Sequence, residues 1–169
     1  MLRILVPIDG SSNSLHAVRR VINEFRRESA LEIHLLNVQR PLSPYASRFV
    51  SRTDRDDFHR DQASRALLPA KEMLDRFGVP YSSHFGLGEK ASIIAETANQ
   101  LRCDHILMST ARKNSLIRMV ENSTINEVIE LATVPVKVLA GDPVSPLKRY
   151  GIPASVGTGL ASLFFAVAE

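Results

Sequence analysis

Leu2-Arg3-Ile4-Leu5-Val6-Pro7-Ile8, followed at once by Asp9-Gly10-Ser11-Ser12, is the stretch on which the reading of this chain turns. It is a nearly continuous apolar run, interrupted at Arg3 and broken at Pro7, and then a cluster of turn formers. A strand buried on both faces reads this way, because neither side of it meets water, and the turn residues lead it into a helix. From Leu15 onward Leu15, Val18, Val21, Ile22 and Phe25 fall at helical spacing, while Arg19, Arg20, Asn23, Arg26 and Arg27 make the wet face.

The same alternation repeats down the chain. A second strand spans Leu31 to Val38 and exits at Gln39 and Arg40, and Pro41 to Thr53, rich in proline and serine, reads as a loop. A second helix begins near Asp54 and keeps Phe58, Ala66, Leu67, Ala70, Met73, Leu74 and Phe77 on one face, with a kink expected at Pro69 and a stop at Gly78. Val79 to Phe85 makes a third strand, and Ile93, Ile94, Thr97, Ala98 and Leu101 make a third helix. Asp104 to Ser109 is the fourth strand, Ile125, Val128, Ile129 and Ala132 form the stripe of a fourth helix, and Val134 to Leu139 is the fifth strand. An order βαβαβαβαβ demands a mostly parallel sheet with helices on both faces, because right-handed crossovers lay each helix against the sheet. The simplest arrangement is an α/β, flavodoxin-like five-stranded parallel sheet of order 3-2-1-4-5. Its ligand site is expected at the carboxyl ends of strands one and four, at the turn after Ile8 and the loop after Met108.

Composition sets the outer limits. With 169 residues, 44% of them hydrophobic, the chain has the size of one ordinary domain able to bury a core. The single cysteine, Cys103, forms no internal disulfide, the N-terminus lacks an export pattern, and a cytoplasmic location is expected. No stretch reaches the roughly 18 to 20 apolar residues of a membrane span. The net charge is +3, and the arginines are spread from Arg19 to Arg149 instead of gathering in a block interleaved with aromatics, so no nucleic-acid partner is expected. The histidines, His16, His34, His59, His84 and His105, show neither metal-ligand spacing nor a paired nucleophile, so no metal and no catalytic residue are assigned.

Ile4-Leu5-Val6-Pro7-Ile8-Asp9-Gly10-Ser11 resembles the opening of the universal stress protein family, Asp104-His105-Ile106-Leu107-Met108 its fourth strand, and Val134-Pro135-Val136-Lys137-Val138 its fifth. The resemblance covers residues 1–140 in order and spacing and implies the adenine nucleotide alpha hydrolase-like variant of the fold. Many members bind ATP through glycine, two residues, glycine, nine residues, glycine and then serine or threonine, since backbone N–H groups must approach phosphate closely. In that register this chain has Ser109, Arg112 and Asn122 in place of the glycines, and only Ser123 fits. The adenine end fares better by resemblance: Pro7, Asp9 and Val38 occupy base-contacting positions. Asp9 also has the ordinary alternatives of capping the first helix or closing the turn at Gly10. Arg112 and Lys113 read either as phosphate partners or, with Arg118, as solvated loop charges. Ser123 and Thr124 precede the fourth helix, with Thr124 and Glu127 spaced as a capping box.

The resemblance implies a dimeric binding or signalling module of the stress response, without tight ATP binding and with no cofactor expected. The alternative is an ATP- or AMP-binding member, with Mg, acting as a slow ATPase or nucleotide switch. A homodimer through the fifth strand, Val134 to Leu139, follows from its place at a sheet edge, and a further protein partner is left unidentified. Residues 141–169 lie beyond the family domain, and their apolar end, Leu160 to Val167, is expected to dock on the domain or on the dimer partner.

Overall fold

The computed structural model describes residues 1–27, 30–110 and 124–140. At the centre of its sheet lies β1 (Leu2–Pro7), which pairs in parallel with β2 (Leu31–Gln39) on one side and with β4 (His105–Thr110) on the other. Leu5 stands opposite both His34 and Ile106, and Ile4, Leu5 and Val6 are completely buried. β3 (Tyr81–Leu87) and β5 (Val136–Ala140) complete a five-stranded parallel sheet of order β3-β2-β1-β4-β5, the arrangement expected from the alternation.

Side chains leave the central strands alternately to two apolar layers. Ile4, Val6 and Ile8 meet α1 (Ser14–Phe25), through Ala17, Val18, Val21 and Ile22. A short helix, α2 (Pro44–Ser47), interrupts the loop predicted after β2, and the long α3 (Arg52–Arg76) then packs Leu67, Ala70 and Leu74 onto the same face. On the other face Leu5, Leu36 and Ile106 meet α4 (Lys90–Gln100), through Ala91, Ile94 and Ala98, and α5, described over residues 124–131, through Ile125 and Val128.

Several boundaries move for identifiable reasons. Ser51 caps α3, its hydroxyl accepting from the Asp54 N–H at 3.1 Å and donating to the Asp54 carboxylate at 2.7 Å, so the helix opens at Arg52 rather than near Asp54. The buried stripe of α3 runs through His59, Ala63, Leu67, Ala70 and Leu74, leaving Phe58 and Phe77 half exposed. The helix turns Phe58 outward and His59 inward, against the stripe expected from the sequence. Pro69 lies within a continuous helix. Gly78, at φ +63°, ends it: the Gly78 N–H donates to Asp75 and the Val79 N–H to Leu74, each at 3.0 Å. Val79 is thus occupied by the helix end, and β3 starts only at Tyr81, after Pro80. β5 starts at Val136 instead of Val134, because Pro135 has no N–H to give to the ladder, although its carbonyl accepts from Ile106 and Val134 packs against the core. On α5, Ile129 is half exposed although its spacing fits the stripe.

A polar seam crosses three strands on the α4 face. Arg3 pairs with Glu32 at 2.8 Å, Glu32 approaches the His34 ring at 3.3 Å, and His34 Nδ1 shares a hydrogen bond with His84 Nε2 at 3.1 Å. Burial pushes His34 below its ordinary value of 6.5, against the pull of Glu32; burial and then His34 itself push His84 down. A depressed histidine is neutral in the fold while the unfolded chain takes up the proton first. Its stabilisation is therefore complete above 6.5 and is lost as pH falls through the folded value. Thermal melting should hold steady from about pH 8 to 7 and decline between 6.5 and about 5, and His34→Asn with His84→Gln should flatten that decline. A decline unchanged in the double variant would assign the acid sensitivity to other groups.

Candidate functional site

The turn after β1 builds one wall of a cavity. Pairing continues one residue past the strand, with the Ile8 N–H donating to Leu36 at 2.8 Å, and the buried Asn37 amide donates to the Ile8 carbonyl at 2.6 Å. The chain then reverses at Gly10, whose φ of +82° suits glycine, with Ala66 of α3 lying against it. Asp9 Oδ1 accepts from the Ser11 N–H at 2.9 Å, so Asp9 closes this turn; the α1 cap position belongs to Asn13, which makes no side-chain cap. Burial acts to raise the Asp9 carboxyl, but hydrogen bonds from Ser11 and Ser14 outweigh it and hold the group below its ordinary value. The Ser14 hydroxyl in turn donates to the Ser11 carbonyl at 2.9 Å.

The other walls come from β4, α4 and α5. Ser109 leaves β4 with its hydroxyl donating to the Asn13 carbonyl, which ties the end of β4 to the start of α1. Across the cavity, the Gly88 N–H donates to Gln39 at 3.0 Å and anchors the loop before α4 beside the end of β2. Ile93 fills the space a side chain at Gly86 would take, so α4 sits close to β3. The resulting cavity, about 350 Å³, is lined by Pro7, Asp9, Val38, Lys90, Ser109 and Thr124, among others. That volume falls at the lower end of ligand-sized pockets, about 300 to 1,000 Å³.

Four residues singled out from the sequence, Pro7, Asp9, Val38 and Ser109, converge on this cavity at the strand ends where a ligand was expected. Arg112, Asn122 and Ser123 lie outside the described residues, as do Lys113, Arg118 and the segment 141–169. Thr124 is already helical and lines the cavity. The sequence reading missed Asn37, a polar residue inside an apolar strand, and Lys90, whose signal was a lysine at a helix start after two nearby glycines.

The chemistry of the lining is plain. The hydroxyls of Ser14 and Ser109 donate to backbone carbonyls, and no histidine lines the cavity among the described residues. No group of three or more potential metal ligands occurs among the described residues. Cys103 is buried elsewhere, its thiol pushed up to about 11 chiefly by burial. No helix among the described residues is long and apolar enough to cross a membrane.

Comparison with known proteins places this geometry in context. The model described as the universal stress protein family matches residues 1–140. A universal stress protein of Methanocaldococcus jannaschii is 29% identical over 139 residues, covering 81% of each chain. Among solved structures, the universal stress protein UspA from Lactobacillus plantarum superposes with a TM-score of 0.65 at 20% identity, covering 82% of this chain and 97% of its own. An Arabidopsis thaliana family protein with AMP bound gives 0.61 at 15%, covering 86% and 98%. The Archaeoglobus fulgidus protein in complex with dAMP gives 0.59 at 18%, covering 82% and 97%.

Ser109→Ala tests the tie between β4 and α1. Loss of one hydrogen bond to a buried-edge carbonyl should lower unfolding stability by about 0.5 to 1.5 kcal/mol, read as a shifted denaturant midpoint at constant slope. An unmoved midpoint would show that the hydroxyl does not hold the cavity wall.

Proposed function

The chain belongs to the universal stress protein family, and on that premise we propose that it is a dimeric binding and signalling module of the stress response rather than an enzyme. The cavity at the strand ends carries this reading: it offers hydroxyls, apolar walls and two charges, Asp9 and Lys90, among its described residues, and its one described carboxylate, Asp9, is engaged in closing the turn with Ser11 and Ser14. We propose further that it binds nucleotide without a tight hold on ATP, and that no resident cofactor is needed. Ser109 supports this, because it brings a side chain to a place where close backbone approach to phosphate calls for glycine. The reducing cytoplasm suits a chain whose single cysteine is a buried thiol.

The second reading, an ATP- or AMP-dependent switch, draws on the structures of similar proteins with AMP and dAMP. Pro7, Asp9 and Val38 would then face the base, and Thr124 the phosphates. Calorimetric titration with Mg-ATP separates the two. The expected outcome is a dissociation constant no tighter than about 1 mM, the scale left by a few contacts without a preorganised cradle. Micromolar binding would overturn it in favour of the switch.

Dimerisation is proposed through β5, an edge strand on which Val138 is 40% exposed and Lys137 is the one charge. Light scattering at about 50 µM should give a dimer mass, and Val138→Lys should shift it toward the monomer. A monomer in the unaltered protein would remove the dimer from this proposal.

A further inference from the structure

The most exposed aromatic side chains among the described residues lie together after β2. Tyr45 and Phe49 are each 74% exposed, yet their rings meet edge to face with centroids 5.4 Å apart. Val50 and Phe58, which follow them, are exposed as well. Short-range bonds hold the backbone that carries the rings: the Ser47 N–H donates to the Ser43 carbonyl at 2.9 Å, and the Ser47 hydroxyl donates to the Pro44 carbonyl at 3.0 Å. Ala66 of α3 lies against Gly10, just past the carboxyl end of β1, while Asp75 near the other end of the helix accepts from Tyr81 at the start of β3. The turns of α3 before Ala66, Phe58 among them, therefore project beyond the carboxyl edge of the sheet, where α2 also lies. Apolar rings grouped in this way outside the core mark a surface that another segment covers.

We propose that residues 160–167 of this same chain dock on the aromatic surface of α2 and the start of α3. Leu160, Leu163, Phe164 and Val167 fall at i, i+3, i+4 and i+7, the spacing of one apolar helical face, and no charged residue interrupts the segment. A face of that kind binds by seating its apolar anchors against exposed apolar side chains. The chain leaves β5 at Ala140, on the same edge of the sheet as α2, and three strand spacings of about 4.8 Å separate β5 from β2. Residues 141–159, fully extended, reach about 60 Å, so the connection is long enough to cross that edge. Charge agrees with the placement. Arg48 and Arg52 are exposed beside the rings with no ion pair among the described residues, and Glu169 stands just after the apolar segment.

Cross-linking of the full chain carrying Thr53→Cys and Ser162→Cys with a short bismaleimide tests the contact, with melting curves confirming that each variant is folded. Cys103 is buried, its thiol pushed up to about 11, and is spared at neutral pH. A cross-link within one chain should form at a rate independent of protein concentration. Moving the first cysteine to Arg27→Cys, at the opposite edge of the sheet, should slow it by about tenfold or more. Adding Tyr45→Ser and Phe49→Ser should slow it by about tenfold, the scale of losing an apolar anchor. Should that pair unfold the chain, Phe49→Ser alone should slow it by about threefold or more. No cross-link, one that joins two chains, one that survives loss of the rings, or one formed equally well from Arg27→Cys overturns the proposal. Flotation of the unaltered protein with anionic lipid vesicles, abolished by Leu163→Ser with Phe164→Ser, also overturns it and assigns the segment to a membrane surface.

Discussion

Burial of β1 on all sides is the constraint from which the rest of the structure follows. Flanked by β2 and β4 and covered on both faces, Ile4, Leu5 and Val6 have no contact with water. A strand in that position can leave the sheet only at its ends. Because all five strands run the same way, their carboxyl ends emerge along one edge while the crossovers pass behind. The cavity is a product of that topology: the chain turns back after β1 toward one face, the chain before α4 turns toward the other, and the space between them is left unfilled.

What gives this space a definite shape is a small set of polar contacts at the strand ends. Asp9 fixes the turn at Gly10, Asn37 holds the Ile8 carbonyl, and Ser109 joins β4 to the residue before α1. Asp9 and Asn37 each engage a backbone group at the turn or strand end, and Ser109 adds a second donor to a carbonyl that already accepts from His16. The same contacts limit the chemistry available, since side chains that hold the backbone are not free to react. Among the described residues the lining carries two charges, Asp9 and Lys90, beside the hydroxyls of Ser14, Ser109 and Thr124.

Elsewhere the sheet carries more polarity than its apolar strands suggest. The Arg3–Glu32–His34–His84 seam runs across β1, β2 and β3 beneath α4, and His105 is buried on the opposite face. Imidazoles in such places are tolerated while neutral, because a neutral ring can share one hydrogen bond and otherwise fill space. A charged ring would have to be solvated or paired. The family comparison places this architecture among universal stress proteins, but the low identity to the solved structures carries the likeness of fold and leaves the polar details to this chain.

Element type and order were legible in the sequence because strand and helix leave different periods, and five apolar runs separated by helical stripes admit one simple sheet order. The first turn was legible for a similar local reason: Asp9-Gly10-Ser11 carries its own hydrogen bonding, and Gly78 ended α3 by backbone conformation alone. Contacts between distant segments were not legible. His59 rather than Phe58 faces inward because the rotation of α3 is chosen by the whole stripe from Ala63 to Leu74, and Val79 joins the end of α3 because Pro80 delays the next strand. Ser109 finding Asn13, His34 finding His84 and Lys90 reaching the cavity beside Val38 each join segments that only the packed sheet brings together. The sequence by itself determined periodicity and turns, which are local properties of the backbone and its side-chain alternation. The tertiary structure alone decided which polar groups meet, since that depends on helix rotation and strand register settled by burying apolar area as a whole.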